Sequence, residues 1–208
     1  MLSGRLRENS AAHFMPNNPH MKKTLILAAW LAATASLAWA DGPTAFQLAK
    51  TGDQYLGVQS KDKVVAIHSD RSVNSLTPDV WYVDYFDPDA MLKAVEVKFG
   101  GGQKMDVSRP VRALEWLTDA KEPLDPTKLN IDSDRAIQIA TTQPILKNLT
   151  LRSTQLWLQH GDLGPQWRVQ LWAAKVSDPN HSADIGNVIL SAGDGSIIKL
   201  DLHVDSVN

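Results

Sequence analysis

The chain has 208 residues, with 21 Lys and Arg set against 23 Asp and Glu, a formal net charge of −2 and no cysteine. A near-neutral, slightly acidic balance argues against nucleic acid or an anionic membrane as a partner. The absence of thiols excludes a cysteine nucleophile, a thiolate metal site, a cysteine-linked lipid anchor and any disulfide staple, so the fold rests on its core alone. In chain order, residues 1–20 are polar, mixed in charge and without period, and read as a non-structural extension. Residues 21–40, MKKTLILAAWLAATASLAWA, carry Lys22 and Lys23 ahead of an apolar core from Leu25 to Leu37 and end on Ala38-Trp39-Ala40, the layout of a secretory signal peptide. That apolar stretch is shorter than the roughly 20 residues a membrane-spanning helix needs, so no membrane insertion is expected after cleavage. Cleavage after Ala40 leaves 168 residues and, by removing Arg5, Arg7, Lys22 and Lys23 against Glu8, a net charge of −5. The expected location is periplasmic or extracellular.

The remainder divides into two similar stretches, 41–108 and 131–208, joined by 109–130. TAFQLAKT at Thr44 is echoed by RAIQIATT at Arg135, VWYVDYF at Val80 by QWRVQLW at Gln166, and AVEVKFGGGQKMDV at Ala94 by NVILSAGDGSIIKL at Asn187. The offsets of 91, 86 and 93 residues drift as loop insertions would make them drift. In each stretch an N-cap residue, Thr44 or Ser133, opens a short amphipathic helix: Ala45, Phe46, Leu48 and Ala49 are its apolar residues in the first, Ala136, Ile137, Ile139 and Ala140 in the second. Alternating segments come next: 63–68, 81–86 and 94–99 in the first stretch, 154–160, 167–173, 187–192 and 196–203 in the second. Glycine-rich turns at Gly100–Gly102 and Gly193–Gly195 supply the backbone freedom of tight hairpins. The expected fold is α+β, two tandem repeats of a helix packed on a three- or four-stranded antiparallel sheet. In the linker, Val111, Leu114, Trp116 and Leu117 suggest a short helix after Pro110, and Pro123 and Pro126 stiffen the remainder of the linker.

The second stretch resembles a PepSY domain. The residues that carry the resemblance are Asp134-Arg135-Ala136-Ile137-Gln138-Ile139-Ala140, Trp167-Arg168-Val169-Gln170-Leu171, and Ile189 to Ile197 with its Gly193-Asp194-Gly195 turn. A more degenerate form covers residues 43–108, and the family's usual Asp before Ala is replaced by Ser191. The resemblance implies an exported, non-enzymatic binding or inhibitory module of the cell envelope, with a peptidase or other envelope protein as its partner and no catalytic residue to transfer.

Motifs for chemistry are sparse. His68, His160, His181 and His203 fall in no metal-ligand spacing and read as exposed or strand-end residues. GDGS at Gly193 lacks the nucleophile-elbow pattern and reads as a hairpin tip. Neither a catalytic residue, a metal ligand nor a cofactor is assigned. The alternative function is a small-ligand or metal-binding protein using Asp84, Asp87 and Asp89, against which stands the ordinary turn chemistry of DYFDPD. Period-two alternation is more informative. It puts Trp167, Val169 and Leu171 on one face of their strand with Arg168, Gln170 and Trp172 on the other, sets Trp157 among Gln155 and Gln159, and leaves Tyr82 and Phe86 beside Asp84. Tyr82, Phe86, Trp157, Arg168 and Trp172 are therefore the candidate binding residues, because aromatic and Arg side chains anchor interfaces. The competing expectation is that these rings pack between the two units or beneath the linker helix.

Overall fold

The computed structural model describes residues 42–109 and 122–207, so the expectations for residues 1–40 and for the linker helix at 111–117 lie outside the described residues. The strands form one antiparallel sheet of eight, in the order β4-β3-β2-β1-β5-β6-β7-β8. Helix α1 (Ala45–Gly52) precedes β1 (Val64–Ser69), β2 (Val80–Phe86), β3 (Ala94–Gly100) and β4 (Gln103–Ser108); helix α2 (Ser133–Thr141) precedes β5 (Leu149–Gly161), β6 (Gly164–Lys175), β7 (Asp178–Ser191) and β8 (Ile197–Leu202). The α+β class thus holds, but the strands belong to a single open sheet rather than to two separate ones. Among the described residues, no helix is long and apolar enough to cross a membrane.

Both helices cover the same face. Opposed residues of an antiparallel pair share a face, and Ile67 opposes Val83 on one side and Leu158 on the other. Trp81, Val83, Tyr85, Val97 and Phe99 therefore line one continuous core with Leu156, Leu158, Trp167, Val169, Leu171 and Leu190, joined there by Leu48, Ala49, Ile137 and Ala140 from the helices. The indole of Trp167 is fully buried, donates to the carbonyl of Ile131 at 2.7 Å and stacks on Phe46 at 6.1 Å, so a β6 side chain ties α1 to the segment that enters α2. Tyr85 donates to the carbonyl of Ala49 at 2.5 Å; a side chain on the facing Gly52 would collide with that hydroxyl, which is why the last residue of α1 has none.

The start of α2 also caps α1. Asp132, not Ser133, is the N-cap of α2: its carboxylate accepts from Ser133 N–H at 2.6 Å and also from Phe46 N–H of α1 at 3.1 Å. Ser133 is instead the first helical residue, and its hydroxyl accepts from Ala45 N–H at 3.0 Å. Two first-turn amides of α1 that its own helix leaves unsatisfied are thus met by the start of α2.

The central seam is short. Only Ile67 with Leu158 and His68 with Trp157 pair directly between β1 and β5. Hydroxyls extend it at one end: Ser69 accepts from Leu156 N–H at 3.0 Å and Ser72 from Thr154 N–H at 2.9 Å. At the other end Leu124, itself buried, donates from its backbone to Val64 at 2.7 Å, and Glu122 O meets His160 Nε2 at 2.8 Å.

Candidate functional site: the sheet face without helices

The register that sends Ile67 towards the helices sends its neighbours to the opposite face. There the ladders place side chains in one row across all eight strands: Asp106, Lys98, Tyr82, His68, Trp157, Arg168, Ile189 and Lys199. The middle of this row is stacked. The Lys98 ammonium lies 4.9 Å from the centroid of Tyr82, Tyr82 stacks on His68 at 4.6 Å with an interplanar angle of 10°, and the Arg168 guanidinium covers Trp157 at 4.6 Å. Cation–π contacts of this kind contribute about 0.5–1 kcal/mol each at exposed positions and hold the rings in one orientation. The Tyr82 side chain, with Asp70 and Glu96 nearby, holds the Lys98 ammonium above its ordinary pKa.

Of the five residues singled out in the sequence, Tyr82, Trp157 and Arg168 are brought into this row, and all five are half-buried. Phe86 and Trp172 are not part of it. Each lies four residues along its own strand, about 13 Å from the row, and because β2 and β6 run in opposite directions the two rings sit towards opposite ends of the face. Each has its own cation: Lys63 at 5.8 Å from Phe86 and Arg71 at 4.3 Å from Trp172. Arg71 also donates to Ser153 at 2.7 Å, and a cleft bordered by Arg71, Leu76, Arg152 and Ser182 opens beside it.

The acidic stretch at the end of β2 and just beyond it does not gather into one site. Asp89 accepts from Gln59 at 3.0 Å, whereas Asp87 is buried and receives Arg109 Nε at 2.8 Å and Asp89 N–H at 2.9 Å. Burial alone would raise the Asp87 carboxyl, but the Asp89 amide and the Arg109 guanidinium outweigh it and hold the group below the usual carboxylate range. Asp84 takes a different direction and lies fully buried on the row side, its Oδ2 3.7 Å from Nε2 of His68, which is itself 3.8 Å from Oε2 of Glu96. His68 is thus 8% exposed rather than a solvent-facing strand end. Sequence reasoning missed His68, Glu96 and Arg71 as members of this face. No motif could have named them, since their proximity comes from the pairing of separate strands.

Compared with known protein families, with curated proteins and with solved structures, the chain matches none.

Proposed function

We propose that this chain is an exported, non-enzymatic binding or inhibitory module of the cell envelope. In this reading it is made of two PepSY-like copies, α1 with β1–β4 and α2 with β5–β8, and it docks an envelope protein, a peptidase in the sharpest form of the proposal, on its helix-free face. The observation that carries the reading is the row Lys98, Tyr82, His68, Trp157 and Arg168, in which three rings stand side by side across the join between the two halves with a cation at each end. Rings of this size among polar neighbours add little to a core already closed on the other face, whereas desolvated aromatic and Arg side chains are what interfaces use as anchors. Cations standing on this row of a chain whose net charge is negative favour a partner strip bearing carboxylates beside apolar side chains.

The tandem reading is supported by the burial of the two helices. Ala45, Leu48, Ala49 and Gly52 are buried in α1; Ser133, Ala136, Ile137 and Ala140 are buried in α2. These sets match at an offset of 88 residues, one helical turn away from the offset that the Ala-x-Gln-x-Ala motif suggests. In the sheets Val83 opposes Val97 and Val169 opposes Val188, so β3 and β7 align at 91 rather than 93, a two-residue slip that keeps every side chain on its face.

A photo-crosslinking residue at position 157 or 172, compared with one at exposed Lys147 beyond α2, tests the docking face in envelope extract. The expected result is a crosslinked envelope protein from positions 157 and 172 that is absent from position 147 and lost when Arg168→Gln is added. Equal yields from all three positions refute the face. A purified partner whose peptidase activity is unchanged by a stoichiometric amount of the chain refutes the inhibitory form.

A further inference from the structure

We propose that His68, Asp84 and Glu96 form a binding site for one divalent metal ion of the zinc type, a function that goes beyond the docking role of the row to which His68 belongs. The three residues come from β1, β2 and β3, three neighbouring strands, and project from the same face. Each offers one ligand atom, an imidazole nitrogen or a carboxylate oxygen, and these three atoms all lie within 4.8 Å of one another. The separations of 3.7 and 3.8 Å between the imidazole nitrogen and the two carboxylates are too long for direct hydrogen bonds. They suit a shared ion: ligands held about 2.0–2.2 Å from a tetrahedral centre stand roughly 3.3–3.6 Å apart, a difference that small side-chain torsions close.

Charge and orientation point the same way. Asp84 is fully buried and Glu96 stands across from it on the paired strand, so two carboxylates flank the imidazole, a donor set whose charge suits a divalent cation. Tyr82 stacks on the imidazole and fixes the plane in which Nε2 faces the carboxylates, as groups behind a metal ligand commonly do. The donor set decides the class of metal. One imidazole with two carboxylates suits zinc and its transition-metal neighbours, whereas magnesium and calcium take oxygen donors. Glu96, whose side chain is 18% exposed against 0% for Asp84, marks the solvent side, where water would complete the coordination.

The test is a titration of the full-length, chelator-stripped chain with zinc chloride, read by calorimetry and by metal retained after gel filtration, with cobalt chloride as a spectroscopic probe. Wild type is expected to take up one ion that His181→Gln/His203→Gln leaves in place, and magnesium is expected not to compete. Glu96→Gln, chosen because this side chain is partly exposed and the change nearly isosteric, is expected to weaken that ion at least tenfold while the circular dichroism spectrum stays unchanged. His68→Gln serves as the second ligand variant, and in both variants the rise in melting temperature that zinc gives wild type should vanish. If wild type retains no ion at one equivalent, or if Glu96→Gln and His68→Gln bind it as tightly as wild type, the three side chains form only a polar network and the proposal fails.

Discussion

Replacing tryptophans on the two faces of the sheet gives the most direct measure of which face is core. Trp167→Ala empties a fully buried site between β6, Phe46 of α1 and Ile131. Truncation of a buried Trp costs about 3–5 kcal/mol, and the Ile131 carbonyl, stripped of its 2.7 Å donor, adds about 1 kcal/mol. Trp157→Gln and Trp172→Gln remove half-buried rings whose described partners are Arg168 at 4.6 Å and Arg71 at 4.3 Å. Each forfeits one cation–π contact and part of a ring's burial, about 1–2 kcal/mol in all. In a chain of this length 1 kcal/mol corresponds to roughly 2–4 °C in melting temperature. Thermal unfolding followed by circular dichroism should therefore separate Trp167→Ala, lowered by roughly 8–24 °C, from the other two, each lowered by less than roughly 8 °C. Urea denaturation at 25 °C provides the matching free energies. If Trp157→Gln and Trp172→Gln cost as much as Trp167→Ala, both faces are core, and the docking surface does not exist.

Two further outcomes arise from carboxylates of opposite behaviour, the half-buried Asp132 and the buried Asp87. Asp132→Ala removes an acceptor from the first turns of both helices and should cost about 2 kcal/mol, near 1 for each cap, whereas Asp132→Asn, which keeps an oxygen there, should cost less than about 1 kcal/mol by urea denaturation. Burial pushes the Asp132 carboxyl up despite the amides of Ser133 and Phe46. A raised folded pKa means that ionisation opposes folding, so wild type should gain on Asp132→Asn as pH falls from the raised value towards the ordinary carboxylate range. Asp87 is shifted down, so its contribution is present above the ordinary range and disappears as pH falls through its folded value. Asp87→Asn should therefore flatten the acid limb of the stability profile, by only about 1 kcal/mol because its partner Arg109 is 60% exposed.

The elements with a clear period were legible because burial imposes that period. Alternation in VWYVDYF and QWRVQLW separates the buried Trp81, Val83, Tyr85, Trp167, Val169 and Leu171 from their half-buried neighbours Tyr82, Phe86, Arg168, Gln170 and Trp172. Less legible was the reach of β7, which begins at Asp178 although DPNHSAD has the composition of a loop. Those first residues are exposed and held by backbone pairing to β6, with Ser182 opposite Ala174 and Ala183 opposite Ala173, so no apolar pattern announces them. The N-cap of α2 was displaced by one residue because Asp132 and Ser133 are both good caps, and the choice is made by α1, which engages both. The grouping of His68 with Asp84 and Glu96 spans three strands whose register no spacing along the chain reveals.

The seam explains why two modest halves would form one surface. Joined through Ile67–Leu158 and His68–Trp157, β1 and β5 become the centre of the sheet, and neither presents the unpaired edge there that invites uncontrolled association. The same two residue pairs create the row: Lys98, Tyr82 and His68 come from one half, Trp157 and Arg168 from the other, and the ring nearest the join on each side is set opposite its counterpart by a single backbone register. A slip of one residue at this seam would turn His68 towards the core and Ile67 outward. The hydroxyls of Ser69 and Ser72 at one end and Leu124 at the other restrict that slip, since each bonds a specified backbone group of the facing or adjoining strand. The polar residues of the seam thus determine where the aromatic row forms, and its geometry depends on the two halves being held in one chain.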